Sequence, residues 1–319
     1  MPAKPVRGWV VLLVMALVAV ACGGAATETT GTGTTLTETT VTETTLTDTT
    51  VPETTVTEGG ETTAAGGGGC GVEELELVEP GVLTVATGEP AFEPWVVDDD
   101  PTNQQGFEAA VAYAVAGELG FSPDQVTWVR TGFDEAVAPG PKEFDFNLQQ
   151  YSITDERDEV VDFSIPYYVT DQALVAFEDS PVTSAATVED LKGYVLGAQI
   201  GTTSLDYIEE VIQPDTPPPV YDTNSDAKSA LDAGQVDALV FDLPTAFFIT
   251  AVEIPEATIV GVLEASEEQA DRFGLLFAQD SPLVDCVNAA LETLAAEGTL
   301  DSLAEQWLAS EGEIKTITR

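Results

Sequence analysis

Residues 235–250, Gln-Val-Asp-Ala-Leu-Val-Phe-Asp-Leu-Pro-Thr-Ala-Phe-Phe-Ile-Thr, contain the pattern on which the fold prediction depends. The short apolar run at 235–241 predicts a buried β-strand, and residues 244–250 predict a helix that follows it at once. Asp242 stands at the end of the predicted strand. A strand followed directly by a helix is the repeating unit of α/β proteins, and the same unit recurs on both sides of this stretch.

Strand and helix signals alternate through residues 82–308. Predicted strands cover 82–87, 125–130, 144–148, 194–198, the vicinity of 220, 235–241 and 272–278. Predicted helices cover 106–119, 204–212, 225–233, 244–250, 282–296 and 300–308. The alternation predicts an α/β fold with mostly parallel sheets. Ligands of such sheets bind beyond the carboxyl ends of strands, where Glu89, Gln150, Thr202 and Asp242 lie.

Composition excludes several classes of function. The 319 residues include 56 acidic and 10 basic side chains, giving a net charge of −46, and no histidine. Without imidazole, histidine-dependent catalytic triads and metal sites are excluded, and three cysteines cannot form a four-thiolate site. We therefore expect no metal and no cofactor. The negative charge also opposes binding to nucleic acid, whose phosphates require basic side chains.

Residues 1–22 have the features of an export signal. Lys4 and Arg7 precede a 12-residue apolar run at 9–20, which is too short to span a bilayer well. Residues 18–22, Val-Ala-Val-Ala-Cys, resemble the bacterial lipobox, in which the cysteine is lipidated. We expect Cys22 to anchor the chain to the cell membrane; the alternative is ordinary secretory cleavage, with Cys22 incidental.

Residues 23–69 predict a disordered linker. Threonine accounts for 20 of the 43 residues at 27–69, which also carry seven acidic and no basic side chains. Apolar residues recur there every five positions, a period that forms no continuous face on a strand or helix. The tract therefore cannot bury enough surface to fold, and we expect it to connect the anchor to a domain that begins near residue 70.

A more specific signal lies at 152–168. It reads Ser-Ile-Thr-Asp-Glu-Arg at 152–157 and Val-Val-Asp-Phe-Ser-Ile-Pro-Tyr-Tyr at 160–168, and it resembles the bacterial extracellular solute-binding proteins of family 3, the polar amino-acid receptors of ABC importers. Further matches follow in the family's order: Gly-Phe-Glu at 106–108, Leu-Lys-Gly at 191–193, Gly-Thr-Thr-Ser at 201–204, Gln-Val-Asp-Ala at 235–238, Asp242, Gly-Thr-Leu at 298–300 and Gln-Trp-Leu at 306–308. The resemblance covers residues 80–310.

The resemblance implies a two-lobed, type II periplasmic-binding-protein-like fold with two hinge strands. Lobe one would comprise 78–172 and 265–319, and lobe two 173–264. The implied function is that of an extracytoplasmic, lipid-anchored monomer. It would bind a small zwitterion, expected to be an amino acid, between the lobes and deliver it to an ABC transporter permease.

The resemblance also assigns roles to single residues. Arg157 stands where the family binds the solute carboxylate, a task that suits the two parallel donors of a guanidinium group. Ser152 would add a further contact. The alternative for Arg157 is a surface arginine paired with Asp155 or Glu156. Asp242 stands where the family accepts the solute ammonium, a role compatible with its capping the following helix.

Other family positions carry hydroxyl and aromatic side chains. Thr202 and Thr203 follow a glycine turn at a predicted helix start, where amides and hydroxyls favour a carboxylate. Phe92 and Phe133, together with Trp95, match aromatic positions that would enclose the apolar part of the solute. Simple core packing is the alternative for these rings, most of all for Trp95.

The chain also departs from the family. Gln149-Gln150 replace a pair of small residues found in many members, which changes the volume and the donors near the carboxylate. Gln150 is accordingly assigned to the ligand site. Glu89 lies where cation-binding members often have an acid, and it hints at a basic side chain or a quaternary ammonium group. A betaine-like or ectoine-like solute therefore stays open.

Cys70 and Cys286 remain once Cys22 is assigned to the anchor. An even pair in an oxidising compartment favours a disulfide bond; two inert thiols are the alternative.

Two other functions compete with the receptor. Secreted dehydratases acting on prephenate-like acids share the fold, and Glu89 is a candidate acid for such a reaction. No catalytic constellation is visible, so we expect no enzyme. A sensory or adhesive lipoprotein without a transport role is the third possibility.

Overall fold

The computed structural model describes residues 69–265, 270–308 and 314–319. The predicted signal segment at 1–22, its lipidation site Cys22 and all but the last residue of the predicted linker at 23–69 lie outside the described residues. The predictions made for them are therefore carried by sequence alone.

The described residues form thirteen strands and eight α-helices. The strands are β1 Leu83–Gly88, β2 Val126–Thr131, β3 Phe146–Asn147, β4 Val161–Phe163, β5 Tyr168–Thr170, β6 Gln172–Phe177, β7 Leu196–Gln199, β8 Val220–Tyr221, β9 Ala238–Asp242, β10 Ala257–Leu263, β11 Asp271–Phe273, β12 Leu276–Ala278 and β13 Thr316–Ile317. The helices are α1 Phe107–Glu118, α2 Phe133–Val137, α3 Asp155–Asp158, α4 Thr203–Asp206, α5 Asn224–Asp232, α6 Leu243–Phe248, α7 Val284–Ala296 and α8 Thr299–Trp307. Single 3₁₀ turns cover Val97–Asp99, Pro101–Asn103, Pro123–Gln125, Pro181–Ser184 and Val188–Leu191, and π-helical turns cover Tyr207–Ile212 and Ile249–Glu253.

The first sheet has the strand order β2-β1-β3-β12-β4. β1 pairs in parallel with β2 and β3, whereas β12 is antiparallel to β3 and β4. Helices α1, α7 and α8 pack on one face, where their apolar side chains join Leu83 and Val85 of β1 in one core cluster. Ala86, the next residue of β1, belongs to a cluster on the other face, as the two-residue period of a strand requires.

The second sheet has the order β13-β10-β6-β9-β7-β8. Along its central strand β6, Leu174 and Ala176 pack with one apolar cluster, and Ala173 and Val175 pack with another. The sheet is therefore covered on both faces. This explains why its strands are continuous apolar runs rather than alternations of apolar and polar residues.

Two short strands connect the sheets. β5 and β11 form an antiparallel ribbon in which Thr170 pairs with Asp271. The chain passes from β5 to β6 with only Asp171 between them, and it returns to the first sheet through β11. The predicted two-lobed α/β fold with two hinge strands is confirmed by this arrangement.

The strand directions are more mixed than the predicted mostly parallel pattern. In the second sheet β6 is antiparallel to both neighbours, β10 and β9. β6 follows β5, and β12 follows β11, with no helix between the two strands of either pair. The alternation of helix and strand signals in the sequence therefore did not indicate whether these strands run parallel or antiparallel to their neighbours.

The last strand lies on the second sheet, although the expected division assigned residues 265–319 to lobe one. β13 pairs in parallel with β10. Lys315 fixes the strand further, because its ammonium group donates to the carbonyl oxygens of Thr183 at 2.8 Å and Ala185 at 2.7 Å. Residues 314–319 thus extend the second sheet, and the remaining division into lobes stays our proposal.

The disulfide bond between Cys70 and Cys286 is present, with 5.5 Å between the two Cα atoms. Cys286 is buried in α7 and belongs to the core cluster of the first sheet. The bond ties the segment before β1 to a helix that comes 216 residues later in the chain. The prediction of a disulfide is confirmed, and the alternative of two separate thiols is wrong.

Candidate functional site

A cavity lies between the two sheets, lined by residues that follow strand ends in both. The first sheet contributes Gly88 at the end of β1 and Gln149 and Gln150 after β3. The second contributes Thr202 after β7 and Asp242 at the end of β9. This is the position that the strand-end rule for α/β sheets gives for a ligand site.

Arg157 reaches the cavity from α3. Thr154 begins this helix by accepting a hydrogen bond from the backbone N–H of Arg157 at 3.2 Å. The guanidinium group is buried and donates to the carbonyl oxygen of Ser152 at 2.6 Å and to that of Gly201, in the other lobe, at 2.9 Å. Two of its five N–H groups are used in this way, so donors remain for a solute.

The alternative role for Arg157, a surface arginine paired with Asp155 or Glu156, does not agree with the structure. Within the described residues Arg157 takes part in no ion pair, and neither Asp155 nor Glu156 contacts its guanidinium. The group instead lies over the ring of Phe133, at 5.4 Å from the ring centre. Burial lowers the pKa of Arg157, but a guanidinium keeps its charge in proteins, and the cavity therefore contains a fixed cation.

Gly201 permits the close approach of the two lobes at this point. Its φ of +69° lies in the left-handed region, and a Cβ atom there would meet Asp134 Oδ1 of α2 at 2.3 Å. Only glycine adopts this conformation freely while leaving room for the opposite lobe.

Asp242 supplies the opposite charge and caps α6. Its Oδ1 accepts a hydrogen bond from the backbone N–H of Thr245 at 2.9 Å. Burial raises the pKa of Asp242 to about 6, against the opposing effect of the hydrogen bonds from Thr245. The predicted cap is present, and Asp242 also lines the cavity, where its carboxylate is available to a cation.

Ser152 and Thr203 meet where the lobes join. Their hydroxyl oxygens are 3.3 Å apart, and Ser152 also donates to Asp271 Oδ1 at 2.7 Å. Thr202 begins α4: its hydroxyl accepts from the backbone N–H of Leu205 at 3.3 Å and donates to the carbonyl oxygen of Gln199 at 2.7 Å. α4 continues directly into the π-helical turn Tyr207–Ile212, so Thr202 and Thr203 stand at the start of a longer helical segment.

The aromatic residues divide between core and cavity wall. Phe133 stacks on Tyr151 with ring centres 4.6 Å apart. The ammonium group of Lys228 lies over the ring of Phe92, 5.4 Å from the ring centre. Trp95 is only 1% exposed and packs edge-on against Phe107, yet it also lines the cavity. Its indole N–H donates to the Thr245 hydroxyl of the other lobe at 2.9 Å, so Trp95 serves both the core and the closure of the cleft.

A buried carboxyl group beneath the cavity holds Gln150 in place. Glu108 is 1% exposed, and its Oε1 accepts from the backbone N–H of Gln150 at 2.7 Å. The Gln150 side chain and the Tyr167 hydroxyl also donate to Glu108. These bonds fix Gln150 with a φ of +51°, a left-handed conformation that is costly for a residue other than glycine.

Burial raises the pKa of Glu108 to about 7 from an ordinary value of 4.5. Because the folded state holds this proton more tightly than the unfolded state, the contribution of Glu108 to stability falls as pH rises from about 4.5 to about 7. The loss amounts to roughly 3 kcal/mol. The variant Glu108→Gln removes the titrating group, so its free energy of unfolding should decrease less over this range than that of the native chain.

Urea unfolding of both proteins at several pH values measures the difference. An identical pH dependence in the native chain and the variant would contradict the assignment of the buried proton to Glu108.

Glu89 does not belong to the cavity wall. Its side chain is exposed, while its neighbours Gly88 and Pro90 do line the cavity. The expectation that Glu89 binds a cationic group of the solute is therefore corrected: Glu89 is exposed and is not among the residues that line the cavity.

Three polar residues were not predicted as part of the site. Gln172 and Asp271 lie at the junction of the lobes, and Glu108 lies beneath the cavity. Gln172 donates to Asp271 and accepts from Ser204 at 2.6 Å. Asp271 is 4% exposed at the start of β11. In the sequence, Gln172 could have been recognised as the polar first residue of an otherwise apolar run at 172–177. Glu108 appeared there only as part of the Gly-Phe-Glu match at 106–108.

Among the described residues, none of the helices has the length and the apolar character that a membrane-spanning segment requires. No group of three or more aspartate, glutamate or cysteine side chains is placed to hold a metal ion in the same part of the chain.

Comparisons with known proteins identify a family and relatives that this chain resembles. A family model described as bacterial extracellular solute-binding proteins, family 3, matches residues 83–310. The L-cystine-binding protein TcyJ of Escherichia coli strain K12 is 28% identical over 238 residues, which are 74% of this chain and 86% of the relative.

Two solved structures are similar in fold and sequence. An ancestral arginine-binding protein bound to arginine has a TM-score of 0.61 and 30% identity, and the match covers 72% of this chain and 99% of that chain. An ancestral amino-acid-binding protein, described as a precursor of cyclohexadienyl dehydratase, has a TM-score of 0.60 and 28% identity, covering 72% and 96% of the two chains.

Proposed function

Because the chain belongs to the bacterial extracellular solute-binding proteins, family 3, we propose that it is an extracytoplasmic receptor for a free amino acid or a similar zwitterion. The receptor delivers this solute to the permease of an ABC importer. One observation carries the proposal: Arg157 and Asp242, from different lobes, line the same cavity. A fixed cation and an anion in one enclosed site match the carboxylate and the ammonium of an amino acid.

The contacts across the cleft support a binding mechanism based on closure. The guanidinium of Arg157 contacts Gly201, the indole of Trp95 contacts Thr245, and Ser152 meets Thr203. Each pair joins one lobe to the other. A solute bound to Arg157 and Asp242 adds contacts that exist only when the lobes are together, and it thereby shifts the population toward the closed form.

The proposed site is tested by binding to the full-length protein. Thermal-shift screening against amino acids, betaines and ectoines, followed by calorimetry, should give saturable binding of at least one zwitterion at one site. If no zwitterion binds, the proposal fails. Turnover of a prephenate-like acid would favour the dehydratase instead; Glu89, a candidate acid for that alternative, is exposed and is not among the residues that line the cavity.

Replacing Asp242 by asparagine should weaken binding by about tenfold to 100-fold, because the solute ammonium loses its counter-charge. The native affinity should fall as pH decreases through about 6, since the Asp242 carboxylate is then protonated and neutral. The asparagine variant should lose most of this pH dependence. Calorimetry at several pH values measures both effects, and an equal pH dependence in both proteins would contradict the role of Asp242.

We also propose that Cys22 carries the lipid that keeps the receptor at the cell membrane. Support comes from the basic start, the short apolar run and the lipobox-like residues 18–22. The variant Cys22→Ala, expressed in a bacterium that processes lipoproteins, should move from the membrane fraction to the soluble fraction. Retention of the variant in the membrane fraction would argue for a different anchor.

A further inference from the structure

The charge and polarity of the cavity wall point to the class of solute. We infer that the solute is an amino acid whose side chain is uncharged and hydrogen-bonding, as amide and hydroxyl side chains are. The inference rests on the proposed function, because it assigns the solute's carboxylate and ammonium to Arg157 and Asp242.

The charges of the wall are already matched by an amino-acid backbone. Among the described residues that line the cavity, Arg157 and Asp242 are the two with ionised side chains, and their charges cancel. Once they pair with the solute carboxylate and ammonium, no counter-charge remains among the residues that line the cavity, and the Lys228 ammonium over Phe92 is already paired with Glu253. A charged side chain on the solute would be enclosed without a partner, which proteins strongly disfavour.

Nearby acidic residues do not supply the missing counter-charge. Glu108 is enclosed beneath the wall, with its oxygens bonded to Gln150 and Tyr167. Asp271 is likewise buried and accepts from Ser152 and Gln172.

The wall instead offers amide groups. Five amide side chains line the cavity: Gln149, Gln150, Gln172, Gln199 and Asn224. Gln172 is engaged at both ends, by Asp271 and Ser204.

Four of these amides retain polar atoms that contact no hydrogen-bonding group elsewhere in the described residues. Gln149 uses its carbonyl oxygen to accept from Tyr151, and Gln150 uses its amide nitrogen to bind Glu108. The amide nitrogen of Gln149, the amide oxygen of Gln150 and both side-chain polar atoms of Gln199 and Asn224 are therefore available. A polar, neutral side chain satisfies such donors and acceptors, whereas an apolar one leaves them unpaired.

Calorimetry on the full-length protein tests the inference directly. L-glutamine, L-asparagine and L-serine represent the expected class; L-arginine, L-lysine, L-glutamate and L-aspartate are charged, and L-leucine is apolar. At least one of the first three should bind about tenfold or more tightly than every other member of the panel. A charged or apolar amino acid that binds as tightly would overturn the inference and leave the proposed function standing. No binding by any amino acid or other zwitterion would reject the proposed function itself.

A charge introduced into the wall should change the preference. Gln199→Glu adds a carboxylate, so the ratio of L-arginine affinity to that of the preferred neutral amino acid should rise by about tenfold or more. Gln235→Glu makes the same charge change at an exposed site after α5, and it should leave the ratio unchanged. Equal ratios in the two variants would overturn the inference. Asn224→Asp replaces Gln199→Glu if circular dichroism shows that the latter does not fold.

Discussion

Replacing Arg157 by alanine should abolish measurable amino-acid binding, with a loss of affinity of about 100-fold or more. The solute carboxylate would lose its charged, forked donor inside a site where an unpaired anion is costly. The closed form would also lose the bond from Arg157 to the carbonyl oxygen of Gly201. Calorimetric titration with the amino acid that binds the native protein most tightly measures the loss.

Two further variants separate a loss of binding from a loss of structure. Arg157→Lys keeps the positive charge but loses the two parallel donors of the guanidinium group, and it should bind the amino acid with intermediate affinity. Arg272→Ala removes an exposed arginine from β11 and should bind as the native protein does. Circular dichroism should show a folded chain in all three. Native-like affinity in a folded Arg157→Ala variant would contradict the assignment of the carboxylate site.

Removing the disulfide bond should cause the largest loss of stability. The double variant Cys70→Ser, Cys286→Ser opens a loop of 216 residues in the unfolded state. On the chain-entropy account, closing a loop of this length lowers the free energy of folding by about 5 kcal/mol. The variant should therefore unfold at a clearly lower urea concentration than the native protein, and its free energy of unfolding should depend more steeply on urea because its unfolded chain is less compact.

The native protein under reducing conditions provides an independent comparison. Its unfolding midpoint should approach that of the double variant, and the variant itself should not respond to reductant. Equal midpoints for the oxidised native protein and the variant would show that the bond does not stabilise the folded state.

The fold was largely predictable because apolar periodicity reports burial directly. α1 and α7 appear at their predicted positions, since each presents an apolar stripe to the core of the first sheet. β6 and β10 were missed as elements, although both are apolar runs. β6 follows β5 with no helix between them, and the antiparallel pairing of β6 with β10 depends on contacts distant in sequence.

Two predicted elements are each divided in the structure at positions that the apolar periodicity of the sequence does not indicate. The strand predicted at 272–278 divides into β11 and β12 because Gly274 and Leu275 turn to bond Tyr151 and Ser164. The helix predicted at 204–212 continues from α4 as a π-helical turn. In both cases the sequence indicated the correct kind of element, while tertiary packing set its ends.

Residues of the candidate site were predictable where a family motif or a predicted strand end marked their position in the sequence. Arg157, Asp242, Gln150 and Thr202 lie in the cavity wall. Glu89 was misplaced because its position relative to β1 does not reveal which way its side chain points. Glu108 was not recognised as part of the site, because its role depends on Gln150, which lies 42 residues later in the chain.

A crystal structure of the full-length protein with its tightest-binding amino acid tests the central claim most directly. The account predicts that the solute occupies the cavity between the lobes. Its carboxylate should lie about 3 Å from the guanidinium nitrogens of Arg157, and its ammonium about 3 Å from the carboxylate of Asp242. A solute bound outside this cavity, or bound inside it with either charged group paired to other residues, would contradict the account.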